Sequence, residues 1–314
     1  MRLSTRTIFL AIGFLLLALV PPIATALDQP FYLSLFERIM IFAIAAVSLD
    51  LILGYGGMVS FGHAAYLGLG GYAVAISAHY GIANGFIQFP IAILGSALVA
   101  CLIGAISLRT SGMYFIMITL AFTQMLFFLG VSLEEYGGDD GINTDRSEFA
   151  RLIDLYDPWT LYYFVFAWLA LIAFLSWRLV NSRFGMVIRG AHSNETRMQA
   201  IGFPTYRYKL AAFAIAGAMC GVAGALLANV TEFVTPEYMH WFRSGEIMVM
   251  VLLGGMGTLF GPLFGAVAFL LMEEILKGIT QHWMIIFGPL LVLLVIFARG
   301  GLYGLLPGRK DGDG

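Results

Sequence analysis

The dominant pattern in this sequence is a succession of long apolar stretches separated by short polar segments. The stretches cover residues 8–27, 33–53, 58–80, 86–108, 113–131, 161–180, 210–230, 247–256, 262–279 and 284–297. A helix needs about 20 residues to cross the hydrocarbon core, and most of these stretches are close to that length. The stretch 247–256 is too short to cross without its flanking residues. Because they are apolar all round, their length rather than an amphipathic period identifies them. The pattern predicts an all-α, polytopic membrane protein with about ten transmembrane helices.

The first stretch has two interpretations. Arg2 and Arg6 precede an apolar run that ends near Ala24-Thr25-Ala26, which resembles a secretory signal with its cleavage site. We favour a retained first helix, because the run continues past Pro21-Pro22 and the downstream topology is the same in both cases.

Composition agrees with a bilayer rather than water as the solvent. Of the 314 residues, 60% are apolar and 11% are charged, whereas an average soluble domain has about 25% charged residues. A single soluble core does not hide so many apolar side chains. No room remains for a large soluble domain, so we expect residues 1–314 to form one transmembrane domain.

The small net charge of -2 conceals two loops of opposite sign. Residues 132–160 hold eight acidic side chains against two basic ones, and residues 178–209 hold six basic side chains against Glu195 alone. Basic loops are retained in the cytoplasm. We therefore predict that 181–209 is cytoplasmic and that 132–160 is periplasmic. The same count places both termini in the cytoplasm, including the tail with Arg299, Arg309 and Lys310.

Several kinds of chemistry have no signal in the sequence. Cys101 and Cys220 lie in apolar runs, which excludes a disulfide framework or a zinc cluster. The chain has no G-x-x-x-x-G-K-[ST] phosphate loop, no H-E-x-x-H motif and no spacing typical of an acid–base pair. We predict no catalytic residue, no metal and no cofactor bound by this chain, so ATP-driven work requires a partner.

Glycine is concentrated in two clusters, at 54–71 and 254–265. One interpretation is a broken or re-entrant helix beside a translocation path, because unwound backbone in a membrane needs protein or water to satisfy it. The other is close packing of helices through small residues. Both stay open for the first cluster, and packing is favoured for the second. The candidate path residues are Asp50, Gly56, Gly57, Ser60, Gly62, His63, Gly254, Gly255 and Gly257.

Asp50 and His63 are ionisable residues inside apolar stretches. A charge at a helix centre costs about 2.5 to 3.5 kcal/mol, so Asp50 is expected to face protein or water. A proton or ion site and a structural hydrogen bond are both compatible with Asp50, and we favour the hydrogen bond. The other intramembrane charges, Glu37, Arg38, Glu273, Glu274 and Lys277, are expected at the outer interface, where snorkelling suffices.

The basic segment contains signals for a short helix. Ser193 is the expected N-cap, Glu195 suits the positive end, and Gly202 with Pro204 terminates the helix. Within the predicted helix 194–201, Met198 and Ile201 form an apolar stripe beside basic residues. A solvated loop is the simpler interpretation, and a helix that docks into a soluble partner explains the signals better.

Six sequence pieces, in order, resemble one family: the permeases of branched-chain amino acid ABC importers, the LivM and LivH group, and most closely its LivM branch. The resemblance covers nearly the whole chain after residue 30. Its residues are LGYGGMVSFGHAAYLG at 53–68, RTSGMYFIMITLAF at 109–122, GGDDGI at 137–142, SRFG at 182–185 with Arg189, Asn194, Glu195, Ala200 and Gly202, YKLAAF at 208–213 with GVAG at 221–224, and LGGMG at 253–257 with FGP at 260–262 and Gly265.

The resemblance implies a multi-pass subunit in the bacterial inner membrane. It implies a heterodimer with a homologous LivH-like permease, two cytoplasmic ATPase subunits that use ATP and Mg, and a periplasmic substrate-binding protein. Lipid surrounds the chain, and no nucleic-acid partner is expected. The coupling helix that the ATPase grips would use Arg189, Asn194, Glu195, Arg197, Ala200 and Gly202.

On the opposite side, the resemblance places Gly137, Gly138 and Gly141 where substrate is received. Asp50 departs from the family pattern, in which asparagine is expected, so the resemblance does not imply an uncharged path in this chain.

These observations predict a permease subunit of an ATP-driven importer, with branched-chain amino acids as the default solute. The alternative is a proton-coupled secondary transporter with Asp50 and His63 as the relay. A membrane-embedded enzyme is a third class without supporting residue spacing. Urea or amides and small aromatic acids remain open as substrates.

Overall fold

The structure, a computed structural model, describes residues 5–26, 28–149, 153–297 and 301–304. Arg2, Arg151, Arg299, Arg309 and Lys310 lie outside these ranges, so the charge arguments that use them stay predictions. The helices are α1 Thr5–Ala26, α2 Phe31–Leu53, α3 His63–His79, α4 Gly85–Ser107, α5 Met113–Ser132, α6 Pro158–Val180, α7 Arg183–Ser193, α8 Glu195–Ala200, α9 Thr205–Thr231, α10 Trp241–Gly254, α11 Gly261–Ile279, α12 Trp283–Phe297 and α13 Gly301–Gly304.

The prediction of an all-α fold is confirmed. Among the described residues, α4, α5, α6 and α9 are long and apolar enough to cross a membrane by length and composition alone. The total of about ten crossings and the cytoplasmic termini stay predictions. Two boundaries differ: the stretch 58–80 becomes helical only at His63, and the short stretch 247–256 belongs to a helix that begins at Trp241.

Helix α2 lies at the centre of the bundle, and every side chain from residue 39 to residue 53 is buried. Helices α6, α9 and α11 pack against it, and α3 packs against α9. Their contact is backbone to backbone, since a Cβ on Gly70 would collide with the Gly221 carbonyl and one on Gly224 with the Leu67 carbonyl. The part of the first glycine cluster that lies in α3 therefore serves helix packing.

The described parts of the acidic segment, 132–149 and 153–160, contain strand pairing and short helical turns. Strand β1, Ile142–Asn143, pairs antiparallel with strand β2, Phe233–Val234. Arg146 forms an ion pair with Glu232 at 2.7 Å. The fold thus ties the acidic segment to the end of α9, at the end of the bundle that we call the β-ribbon end. The opposite end carries α7 and α8, and we call it the α8 end.

Candidate translocation site and docking segment

Residues 58–62 form a non-helical segment between α2 and α3. The Cys220 thiol, near the middle of α9, donates a hydrogen bond to the carbonyl of His63 at 3.3 Å. The end of the segment is therefore level with the middle of a helix long enough to cross the membrane. The N–H and C=O groups of non-helical backbone at this depth need hydrogen bonds from other protein groups or from a water-filled path.

Hydroxyl groups from two other helices satisfy the backbone at Phe61. Its N–H donates to Thr119 Oγ1 at 3.2 Å, and its carbonyl accepts from Thr123 Oγ1 at 2.9 Å. The same carbonyl accepts from Ser244 Oγ at 2.7 Å, and Ser244 Oγ also accepts from the N–H of Ala64 at 2.9 Å. Helices α5 and α10 thus replace the bonds that a continuous helix would supply.

Ser60 and Gly62, two of the candidate path residues, lie inside this segment. The N–H of Gly62 donates to Ser60 Oγ at 3.0 Å. Ser60 and Gly62 are both buried, whereas Phe61 is half-buried and lies next to Gly245 of α10. Phe61, half-buried like Val59, therefore borders α5 and α10 at this segment.

His63 is fully buried at the start of α3. Its ring packs edge-on against Tyr66, with 5.6 Å between ring centroids. No hydrogen bond or ion pair joins His63 to Asp50 in the described part of the chain. The structure does not bring the two members of the hypothetical proton relay into contact.

The two glycine clusters meet at the α8 end. Asp50 Oδ1 accepts a hydrogen bond from the N–H of Gly257 at 2.9 Å. A Cβ on Gly54 would collide with both groups, so only glycine permits this approach. Gly255 and Gly257 adopt φ values of 113° and 66°, which L side chains rarely tolerate. The turn between α10 and α11 is thus held against the end of α2.

The remaining glycines of these clusters have separate roles. Gly254 packs on the Gly261 carbonyl, which agrees with the packing interpretation favoured for the second cluster. Gly56 is buried, and a Cβ at this position would lie 2.7 Å from the carbonyl oxygen of Ile52. Gly57 has a φ of 67° and lies against the ring of His192 in α7. The turn after α2 therefore contacts α7, which belongs to the segment 181–209 predicted to be cytoplasmic; we call 181–209 the docking segment, after its predicted role.

The docking segment consists of two helices rather than one. Asn194 caps α8 by accepting from the N–H of Arg197 at 2.9 Å, so the expectation that Ser193 is the N-cap is wrong. Ser193 instead ends α7, because the segment 183–193 is itself helical. Gly202, with a φ of 91°, follows the end of α8 as predicted.

Glu195 faces its own chain. Its carboxylate accepts hydrogen bonds from Lys209 Nζ at 2.7 Å and from Thr205 Oγ1 at 3.0 Å. Partial burial opposes ionisation of Glu195, but the hydrogen bond and charge of Lys209 and the hydrogen bond of Thr205 outweigh it and lower its pKa. The side chain therefore stays ionised and fixes α8 to the start of α9.

The other residues assigned to the docking segment divide into two groups. Arg189 donates to the carbonyl of Val180 at 3.1 Å and so binds α7 to the end of α6. Arg197 and Ala200 are exposed, and Ile201 has 64% of its surface exposed. These three residues form the free surface of α8, which we call the α8 face.

The glycines of the acidic segment shape its turn. Gly137, Gly138 and Gly141 have φ values of 87°, 50° and 80°. A Cβ on Gly137 would collide with the Gly141 carbonyl, and one on Gly141 would lie 2.6 Å from the carbonyl of Val234. Their local role is to bring the segment onto strand β2, and their place on a substrate-receiving side stays a prediction.

Sequence reasoning missed the residues that support the break. Thr119, Thr123 and Ser244 are fully buried hydroxyls inside apolar helices. Such residues commonly bond to carbonyls of their own helix, so the sequence alone does not identify their partners in another segment. Arg243 and Glu246 were also missed, and they form an ion pair at 2.8 Å along α10.

Comparison with known proteins places the chain in a family. Residues 31–297 match the family described as branched-chain amino acid transport system, permease component. The chain belongs to this family. The resemblance inferred from the six sequence pieces is therefore confirmed.

Its relatives include permease proteins of two transport systems. The high-affinity branched-chain amino acid transport system permease protein LivM of Escherichia coli K12 is 28% identical, over 91% of this chain and 74% of the relative. The probable branched-chain amino acid transport permease protein LivM of Methanocaldococcus jannaschii is 27% identical, over 83% of this chain and 90% of the relative. The autoinducer 2 import system permease protein LsrC of Escherichia coli DH10B is 26% identical, over 49% of this chain and 47% of the relative.

No solved structure matches this chain. The family match and the apolar helices together establish a multi-pass membrane permease of the branched-chain amino acid transport type.

Proposed function

We propose that this chain is the permease subunit of an ATP-binding-cassette importer that moves a small solute from the periplasm to the cytoplasm. The match of residues 31–297 to a transport-system permease family carries the proposal. The free α8 face and the supported break at 58–62 agree with it. Because the chain has no phosphate loop, separate ATPase subunits hydrolyse ATP with Mg.

The docking segment receives force at the α8 face. Arg197, Ala200 and Ile201 are available to a soluble partner, whereas Glu195 is already bound by Lys209 and Thr205. In this arrangement Glu195 holds α8 in place, and the α8 face makes the contact with the ATPase. Closure of the ATPase pair then moves α8 and α7 together and changes the population of inward-open states.

The solute path follows the surface beside Phe61. At this place the non-helical segment 58–62 is held by buried hydroxyls of α5 and α10, and interrupted helices of this kind lie beside the binding sites of many transporters. A homologous permease is the expected second wall, so that the path lies between two subunits. A periplasmic binding protein delivers the solute at the β-ribbon end.

Branched-chain amino acids are the proposed solute. The curated relatives that cover most of this chain are named for that transport, whereas the autoinducer 2 permease matches over about half of it. The proposed location is the bacterial inner membrane.

The α8 face gives a direct test. We expect Ile201→Ser to reduce ATP-dependent uptake by the assembled complex in proteoliposomes by about tenfold, because it removes an exposed apolar contact with the ATPase. The matched control for association with the ATPase is Ile82→Ser, at the opposite end of the bundle, where Ile82 is 42% exposed. Uptake by Ile201→Ser at the wild-type rate, with unchanged ATPase association, would contradict the proposed docking surface.

A further inference from the structure

Asp50 is a buried carboxylate near the end of α2. It is 2% exposed, and no basic side chain lies within ion-pair distance of it in the described part of the chain. Its one hydrogen-bond partner among the described residues is the N–H of Gly257. Burial of a carboxylate is costly unless it is hydrogen-bonded. Without an ion pair, the Asp50 carboxylate therefore needs further hydrogen-bond donors.

A small cavity adjoins this carboxylate. It is lined by Asp50, Ser176, Val47, Tyr55, Val180 and Leu259. Its volume is about 10 Å³, which is close to the space that a single water molecule needs. The Ser176 hydroxyl is buried and has no hydrogen-bond partner within the described part of the chain. A carboxylate with a single donor and a hydroxyl without a partner among the described residues thus line the same water-sized space.

A single water molecule in this space would satisfy both groups. It would donate a hydrogen bond to the second carboxylate oxygen of Asp50 and accept one from the Ser176 hydroxyl. Ordered buried waters typically make such bonds between otherwise unpaired polar groups. The first carboxylate oxygen accepts from the N–H of Gly257, so a water bound to the second oxygen would hold Asp50 in the orientation that this bond requires.

The Asp50–Gly257 bond is also next to the docking segment. Gly54 permits the close contact between the end of α2 and the turn at Gly257. Three residues further, Gly57 lies against His192 in α7. A displacement of α7 therefore acts on the same short turn, 54–57, that packs against the 255–257 turn.

We propose that Asp50, oriented by a water molecule bound to Ser176, is the positioning residue that fastens the α10–α11 turn to α2 and closes the α8 end of the path. This proposal rests on the proposed function. ATPase-driven movement of α7 reaches the fastening through His192 and Gly57, and its release lets the 255–257 turn move away from α2. Asp50 contacts no solute in this role.

The first experiment compares Asp50→Asn and Asp50→Leu in the assembled complex. Asparagine keeps an oxygen that accepts from Gly257, whereas leucine has a similar size and no acceptor. We expect Asp50→Asn to import within about twofold of the wild type and Asp50→Leu to import about tenfold less solute per ATP hydrolysed. Equal import per ATP in the two variants, at either level, would overturn the proposal.

A second experiment reads the turn itself. With Cys101 replaced by alanine, Met256→Cys places a thiol on the 255–257 turn, where Met256 is 51% exposed. We expect a hydrophilic thiol reagent to label this cysteine several-fold faster after Ser176→Ala or Asp50→Leu than after Asp50→Asn. An unchanged rate with Ser176→Ala, a mild change that preserves folding, would overturn the water-bridged fastening.

The two experiments separate the inference from the function. Failure of the wild-type complex to import in the presence of ATP contradicts the proposed function but leaves the labelling comparison valid. Normal import with equal labelling rates in all variants contradicts the fastening alone.

Discussion

At the residue scale, a few buried hydroxyls form the hydrogen bonds that the backbone needs where it leaves the helical conformation. Sequence reasoning identified Ser60, Gly62 and Asp50 from their unusual setting in apolar stretches. It did not identify Thr123 or Ser244, because a hydroxyl in an apolar helix most often bonds to its own helix. The partner of such a side chain depends on which segments pack together, and this information is not local in the sequence.

Removal of one supporting hydroxyl is expected to weaken the fold. Thr123→Val leaves the Phe61 carbonyl with one fewer donor, and we expect a loss of about 0.5–1.5 kcal/mol in the free energy of unfolding. Thr25→Val is the matched control, since the Thr25 hydroxyl is exposed and bonds to Pro21 of its own helix. Thermal unfolding of both purified variants measures the difference, and equal midpoints would show that the Thr123 bond contributes nothing.

The lowered pKa of Glu195 predicts a pH dependence. Because the pKa of Glu195 is lower in the folded protein, its ion pair with Lys209 contributes fully to the free energy of unfolding at pH values above the ordinary pKa of 4.5. This contribution is lost as the pH falls through the lower pKa of the folded state. We expect Glu195→Gln to be less stable than the wild type at pH 7 and to match it in strong acid. Melting curves across this range test the prediction, with Glu134→Gln as an exposed control, and a difference that persists in strong acid contradicts it.

At the element scale, helix existence was predictable and helix boundaries were less so. Length and apolarity identified the long helices, because a membrane span must be nearly continuous. The same criterion joined 58–62 to α3, since the valine and phenylalanine in this non-helical segment are as apolar as the residues of a helix. The cap of α8 was displaced by one residue because Ser193 and Asn194 are both good caps, and only the preceding helix α7 decides between them.

The backbone contact of α3 with α9 predicts a sharp contrast between two glycines. Gly70→Ala inserts a methyl group into the Gly221 carbonyl, and we expect a loss of about 3 kcal/mol, at the upper end of the range for overpacking. Gly95→Ala in α4 meets nothing within 4 Å and is expected to be neutral or slightly stabilising. Denaturation in detergent compares the two, and equal losses would contradict the described packing.

At the scale of the whole molecule, charge distribution and family resemblance were more informative than any single motif. The acidic and basic segments that nearly cancel in net charge correspond to the β-ribbon end and the α8 end of the bundle. The meeting of the two glycine clusters, through Gly54 and Gly257, was not predictable, because they are about two hundred residues apart in the chain and both patterns describe flexible backbone alone.

The central claim is that transport by this chain is driven by ATP through a separate subunit. The most direct measurement is uptake of labelled leucine into proteoliposomes that contain the chain with its partner permease, with and without the ATPase subunits, the binding protein and ATP. The account predicts accumulation only when all components and ATP are present. Accumulation by the lone chain under a proton gradient, without ATPase or ATP, would contradict it.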